Sequence, residues 1–194
     1  AGTQLLLGNS NPVGFTSATL MGGAQITAPG GVLLDRSLVL DPGGTATPTV
    51  TGPLTIGDGL VYDWSFSKYS ADVMTIVGDL QFDKAFTLRL FALGGTLRPT
   101  DLLPIFLYSQ GLYVDGLPWN GSTNPLQYTI EMGYLPDWGY VWDLSGASLL
   151  VNPLNLPQGI YLTGAEVFAV PEPGTLALLG LGALALYRRR RRAA

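Results

Sequence analysis

The sequence predicts an all-β body followed by one short apolar helix. Three observations carry this. Short runs rich in Val, Ile, Thr, Phe and Tyr show partial alternation; Gly, Pro, Asn and Asp turn signals separate them; and one uncharged stretch near the C-terminus is made of leucine, alanine and glycine. With 194 residues the chain is long enough for one domain with a sizeable core. The predicted division is a β-rich body over 1–168, a Pro/Gly linker over 169–174, and an apolar helix with a basic tail over 175–194.

Candidate strands fall at 25–27, 32–40, 48–56, 60–66, 73–82 and 86–93, and then at 105–108, 126–132, 140–144, 147–151 and 160–168. Between them stand Pro42-Gly-Gly, Gly57-Asp-Gly, Gly94-Gly, Asp115-Gly and Asn120-Gly, all turn formers. Two phrases echo each other. In Val50-Thr-Gly-Pro-Leu54 and Ile76-Val-Gly-Asp-Leu80 a short apolar strand ends at a glycine and a second follows at once. Gly52 and Gly78 are 26 residues apart, a spacing suited to one turn of a stacked repeat. The stretches 40–45, 49–59 and 72–82 resemble autotransporter-like β-strand repeats. A short right-handed β-solenoid, with an irregular β region after it, is the expected architecture; a β-sandwich is the alternative.

Composition narrows the chemistry. The chain is 47% hydrophobic and 12% charged, with mean hydropathy +0.30, against roughly 25% charged residues in ordinary globular chains. Five of its ten basic residues are consecutive at 188–192, so residues 1–187 hold five basic against fourteen acidic groups, a net of −9. An acidic body gives no Lys/Arg surface for phosphates and argues against nucleic-acid binding. There is no cysteine and no histidine, which removes disulfides, thiol nucleophiles, imidazole zinc sites and the Ser-His-Asp arrangement. No metal site, cofactor fingerprint or phosphate loop is expected.

The C-terminus has three consecutive elements. Pro171, Glu172 and Pro173 hold the chain extended, because proline fixes its own backbone and bars a helix from running back through it. Residues 175–187 carry no charge and would span about 20 Å as a helix, at ~1.5 Å per residue, against a hydrocarbon core of about 30 Å. Arg188, Arg189, Arg190, Arg191 and Arg192 then form a membrane stop, with snorkelling and local thinning to absorb the mismatch. Tyr187 sits where an aromatic belt residue would.

Pro-Glu-Pro, apolar helix and terminal arginine cluster, in that order, resemble the PEP-CTERM sorting signal. The resemblance covers about 170–192. It implies a Gram-negative bacterium and an exosortase partner that processes the chain near the Pro-Glu-Pro. The chain would be anchored transiently in the inner membrane and then released to the cell surface or the extracellular matrix. The resemblance also supplies a link to exopolysaccharide. The chain begins at Ala1 rather than Met, which fits either removal of a signal peptide or a fragment boundary; export favours the first.

Inside the body the carboxylates open to acid–base chemistry include Asp63, Asp72, Asp79, Asp83, Glu131 and Asp143. Glycosidases use two carboxylates across a cleft. With fourteen acidic residues such pairs arise by chance, and turn-capping is the commoner use. Asp58 between two glycines, and the pair Asp79 and Asp83, could offer oxygens to calcium, but neither follows a known calcium loop. Asn120-Gly-Ser122 fits a glycosylation acceptor and reads as a turn.

Aromatic residues gather in the second half of the body. Trp119, Trp138, Tyr140 and Trp142 are the candidate glycan-binding rings, and alternation would set the last three on one strand face. A ring facing solvent is a stacking platform, whereas one facing a neighbouring sheet is core, the commoner outcome. The expected function is therefore non-catalytic: an exported surface or matrix protein associated with exopolysaccharide. A carbohydrate-binding module and a carboxylate-dependent glycan hydrolase are the alternatives.

Overall fold

A computed structural model describes residues 25–34, 48–67, 71–93, 96–121, 126–133 and 141–168. It also describes the backbone of strand residues at 4–6, 13–15, 19–20, 39–40, 140 and 169, and residues 178, 179 and 181. The body is all-β, as expected. Helix among the described residues is confined to Leu178, Leu179 and Leu181. The rest of the predicted 175–187 helix lies outside them.

The strands come in successive sets of three. The first set is β1 (Gln4–Leu6), β2 (Val13–Phe15) and β3 (Thr19–Leu20); the second is β4 (Gln25–Thr27), β5 (Val32–Leu34) and β6 (Val39–Leu40). The third is β7 (Thr49–Thr51), β8 (Leu54–Ile56) and β9 (Val61–Phe66), and the fourth is β10 (Met74–Val77), β11 (Leu80–Phe82) and β12 (Phe86–Ala92). The fifth is β13 (Leu103–Tyr108), β14 (Leu112–Val114) and, after the short β15 (Leu117–Pro118), β16 (Tyr128–Met132). β17 (Tyr140–Asp143), β18 (Ser148–Val151), β19 (Gly159–Thr163) and β20 (Glu166–Ala169) follow.

Each set donates one strand to each of three sheets. The first sheet runs β1-β4-β7-β10-β13 in parallel and ends with β19 and β18, both antiparallel to their neighbours. The second runs β2-β5-β8-β11-β14 in parallel and ends on antiparallel β15. The third, β3-β6-β9-β12-β16, is parallel throughout. β17 and β20 form a separate antiparallel pair.

The 26-residue spacing between the two glycine phrases is the register step between the third and fourth sets. Thr49 pairs Thr75, Leu54 pairs Leu80, and Asp63 pairs Arg89. The glycines themselves sit at a corner between sheets, where 48–56 and 73–82, each read as one run, are split into two strands. Gly52 has φ +125, and a Cβ there would lie 2.0 Å from the Ala28 carbonyl oxygen; a Cβ on Gly78 would lie 2.5 Å from the Gly52 carbonyl oxygen. Backbone stacks on backbone at this corner, which leaves room only for hydrogen. The run 160–168 is divided likewise at Gly164 into β19 and β20.

Alternation along the strands builds one core. In β12 Phe86, Leu88, Leu90 and Ala92 point inward while Thr87, Arg89 and Phe91 are partly exposed. Trp64, Tyr62, Phe66, Phe82, Phe86 and Phe106 are the largest fully enclosed side chains, each worth about 1.5–3 kcal/mol of apolar burial. On the outer side of the third sheet Arg89 donates from Nε and Nη2 to the two Asp63 carboxylate oxygens at 2.5 and 2.7 Å. The Asp63–Arg89 register brings this pair face to face. A fork-to-fork pair of this kind fixes register as well as charge.

Candidate functional site

Predicted site residues separate into three groups. Pro171, Glu172 and Pro173 and the five arginines at 188–192 lie outside the described residues, as does Trp138. Within the apolar segment Leu178, Leu179 and Leu181 are 71%, 65% and 63% exposed, so their side chains are left for another medium than the body's core. Among the described residues no helix is long and apolar enough to cross a membrane.

Trp142 is half-buried and packs against the core, edge-on to Phe66 at a centroid distance of 5.9 Å. It serves as the inner face of the β17–β20 pair. Tyr140 begins β17, where it pairs with Ala169. Trp119 has a different setting. It follows β15, rests partly on the core, and lines an open cleft of about 390 Å³.

That cleft is built from three pieces of chain. One wall is the β14–β15 hairpin. Asp115 and Gly116 join its strands with φ +52 and +74, a two-residue turn of the kind whose twist matches the flanking strands. The hairpin carries Tyr113, Pro118 and Trp119 to the rim, and the Trp119 N–H donates to the Leu112 carbonyl at 2.9 Å. The floor is Tyr108 at the end of β13, with Gly111 beyond it. A Cβ on Gly111 would lie 2.7 Å from the Tyr113 ring and 3.1 Å from Asp79 Oδ1, so the absence of a side chain lets that ring lie close over the backbone. The opposite wall is the 152–158 segment, whose Asn152 and Gln158 reach the cleft.

This last wall is tightly tied. Asn152 and Asn155 have φ +48 and +67, a conformation that asparagine tolerates better than most residues. Asn152 Oδ1 accepts from the Gly159 N–H at 2.8 Å and from the Tyr108 hydroxyl at 3.0 Å. Tyr161 donates its hydroxyl to the Pro157 carbonyl at 2.8 Å, and Gln158 Nε2 donates to the Gln110 carbonyl at 2.6 Å. Burial pushes the Tyr108 phenol above its ordinary value, partly offset by the hydrogen bonds to Asn152 and Gln158. Among the described residues no charged side chain lines the cleft.

The carboxylates are distributed through the fold and engaged by neighbours. Asp63 faces Arg89, Asp72 Oδ2 accepts from the Ser65 N–H at 2.8 Å, and Asp79 Oδ1 accepts from the Gly111 N–H at 2.7 Å. Asp83 accepts from Gln81 Nε2 at 2.5 Å. Asp143 accepts from the Ser145 N–H at 2.9 Å, and its hydrogen bonds with Ser145 hold its carboxyl below the usual value. Glu131 is exposed on β16. Among the described residues no three acidic groups gather as a cation cluster.

Sequence reasoning selected Trp119 but missed Tyr108, Tyr113, Asn152 and Gln158. The first two stand among the aromatic residues of the second half, and the two amides lie at 152–158, a proline-bearing boundary that carries no motif. Only the pairing of β19 with β13 brings that boundary against the aromatics.

An all-β body followed in sequence by Pro-Glu-Pro, an apolar segment and an arginine cluster has the order of a body with a sorting tail. Compared with known families, residues 169–192 match the PEP-CTERM protein-sorting motif. The motif marks an exosortase-sorted, exported protein that is transiently anchored in a membrane. No curated protein and no solved structure matches the chain, so the resemblance to autotransporter-like repeats gains no support.

Proposed function

We propose that the β body is a non-catalytic component of the cell surface or extracellular matrix that holds to exopolysaccharide once exosortase has acted on the tail. The observation that carries this is the cleft beside Trp119, where aromatic rings and fixed amides converge on one open hollow. Such a mixture of apolar lining and a few oriented polar groups is the usual make-up of a ligand site. The parallel pairing of each strand from β1 to β11 with the one three places on supports reading the body as a short β-solenoid rather than a sandwich. A stacked body of that kind presents its side walls and loops to a long polymer.

The carboxylate-dependent hydrolase draws less support. The carboxylates at Asp63, Asp72, Asp79, Asp83 and Asp143 each hold a neighbouring backbone or side-chain donor, whereas a glycosidase needs two facing each other across a cleft.

The test is fractionation of exosortase-positive cells that make the protein and its polymer. The protein should co-purify with exopolysaccharide, leave it when the polymer is digested, and release no reducing ends on long incubation. Recovery in the polymer-free medium, or steady release of reducing ends, would defeat the reading.

A further inference from the structure

We infer that the cleft binds a neutral saccharide by reading neighbouring hydroxyls with Asn152 and Gln158 while a sugar face rests on Trp119. The inference rests on the glycan-association reading above and names its ligand class.

The orientation of both amides follows from their partners. The Gly159 N–H can only donate, so the Asn152 atom that meets it is the carbonyl oxygen. The Tyr108 hydroxyl donates to the same oxygen. Both bonds consume Oδ1 and leave the Nδ2 group as the donor Asn152 offers to the cleft. Gln158 is fixed in the opposite sense. Its partner is the Gln110 carbonyl, which can only accept, so Nε2 faces it with one of its two N–H groups and Oε1 remains as the acceptor. One wall therefore presents a fixed donor and an acceptor a few residues apart. A pair of adjacent hydroxyls, each able to donate and accept, satisfies both at once.

Across the cleft Trp119 and Tyr113 supply apolar ring surface, which suits the C–H face of a pyranose. Neither amide has to reorganise when ligand arrives, which limits the ordering cost of binding.

Charge selects against acidic sugars. Among the described residues the lining has no cation to meet a uronate, and Asp79 stands just behind Gly111. Residues 1–187 carry a net of −9, which repels polyanions at low salt. The polymer that fits is uncharged.

The test is affinity electrophoresis of the full chain in mild detergent, through gels holding a neutral β-glucan or galactomannan, or a uronate polymer such as alginate. Neutral polymer should retard the protein and alginate should not. Trp119→Ala and Asn152→Asp should each weaken retardation about tenfold. The aspartate keeps oxygens for Gly159 and Tyr108 but loses the donor, so it reports on the ligand contact even if Trp119→Ala fails to fold. Retardation by alginate equal to or stronger than that by neutral polymer would overturn the inference and leave glycan association standing. So would neutral binding that Asn152→Asp leaves unchanged. Failure of every polymer, including exopolysaccharide from the producing cells, would overturn both.

Discussion

Tyr62 and Trp64 share β9 and point into the core, fully enclosed. The Tyr62 hydroxyl and the Trp64 indole N–H have no hydrogen-bond partner among the described residues. An enclosed polar atom without a partner forfeits its bonds with water. Burial, with the nearby Asp72 charge adding to it, pushes the Tyr62 phenol well above its ordinary value. A raised folded-state value means that the neutral phenol contributes stability in full below the ordinary tyrosine range. That contribution disappears as pH rises through the folded value. Tyr62→Phe should therefore raise stability by about 1 kcal/mol at neutral pH and flatten the decline above pH ~10. Urea unfolding at the two pH values measures both, and a loss of stability at neutral pH would show that the hydroxyl has a partner after all. The residue pattern gave warning of part of this, since alternation puts Tyr62, Trp64 and Phe66 on one side of a strand. Which side, and that no acceptor waits there, depends on β10 to β13 arriving from later in the chain.

At the scale of elements, the corner between the first and second sheets is tightly constrained. Gly52 combines φ +125 with a neighbouring carbonyl where a Cβ would go. Gly116 also has a positive φ, +74, but open space around it. Gly52→Ala should cost about 2–4 kcal/mol, from strain and overpacking together, and Gly116→Ala nearer 1 kcal/mol. Chemical denaturation of the two variants makes the comparison, and equal losses would mean that the backbone at the corner yields to a Cβ at little cost. The glycine at this place was legible as a repeated phrase, and its 26-residue step as the register. The Asp115-Gly116 hairpin was legible for the same reason, because its backbone angles demand particular residues. The boundaries of 48–56 and 73–82 were not, since Pro53 and Asp79 interrupt the apolar pattern too briefly to mark a change of sheet.

For the molecule as a whole, the charge division separates two jobs. The acidic body and the basic tip never need to share a surface if the tip serves only to stop the chain at a membrane. Mass spectrometry of the mature protein should therefore find the segment 188–192 missing in exosortase-positive cells and retained in cells lacking the enzyme. An intact tail in the first case would contradict processing. The apolar stretch 175–187 would reach only about 20 Å as a helix, short for a lasting span, which accords with an anchor meant to be removed.

The sorting tail was decided by sequence alone, because a linear signal is read in order by whatever binds it and needs no fold. The all-β class was decided there too, through a period and turn chemistry that act over a few residues. The cleft was not. Its rings come from 108–119 and its amides from 152–158, and nothing local relates them. They meet because β19 turns back antiparallel onto β13 in the first sheet. That long-range pairing, rather than any motif, turns scattered aromatics into a site.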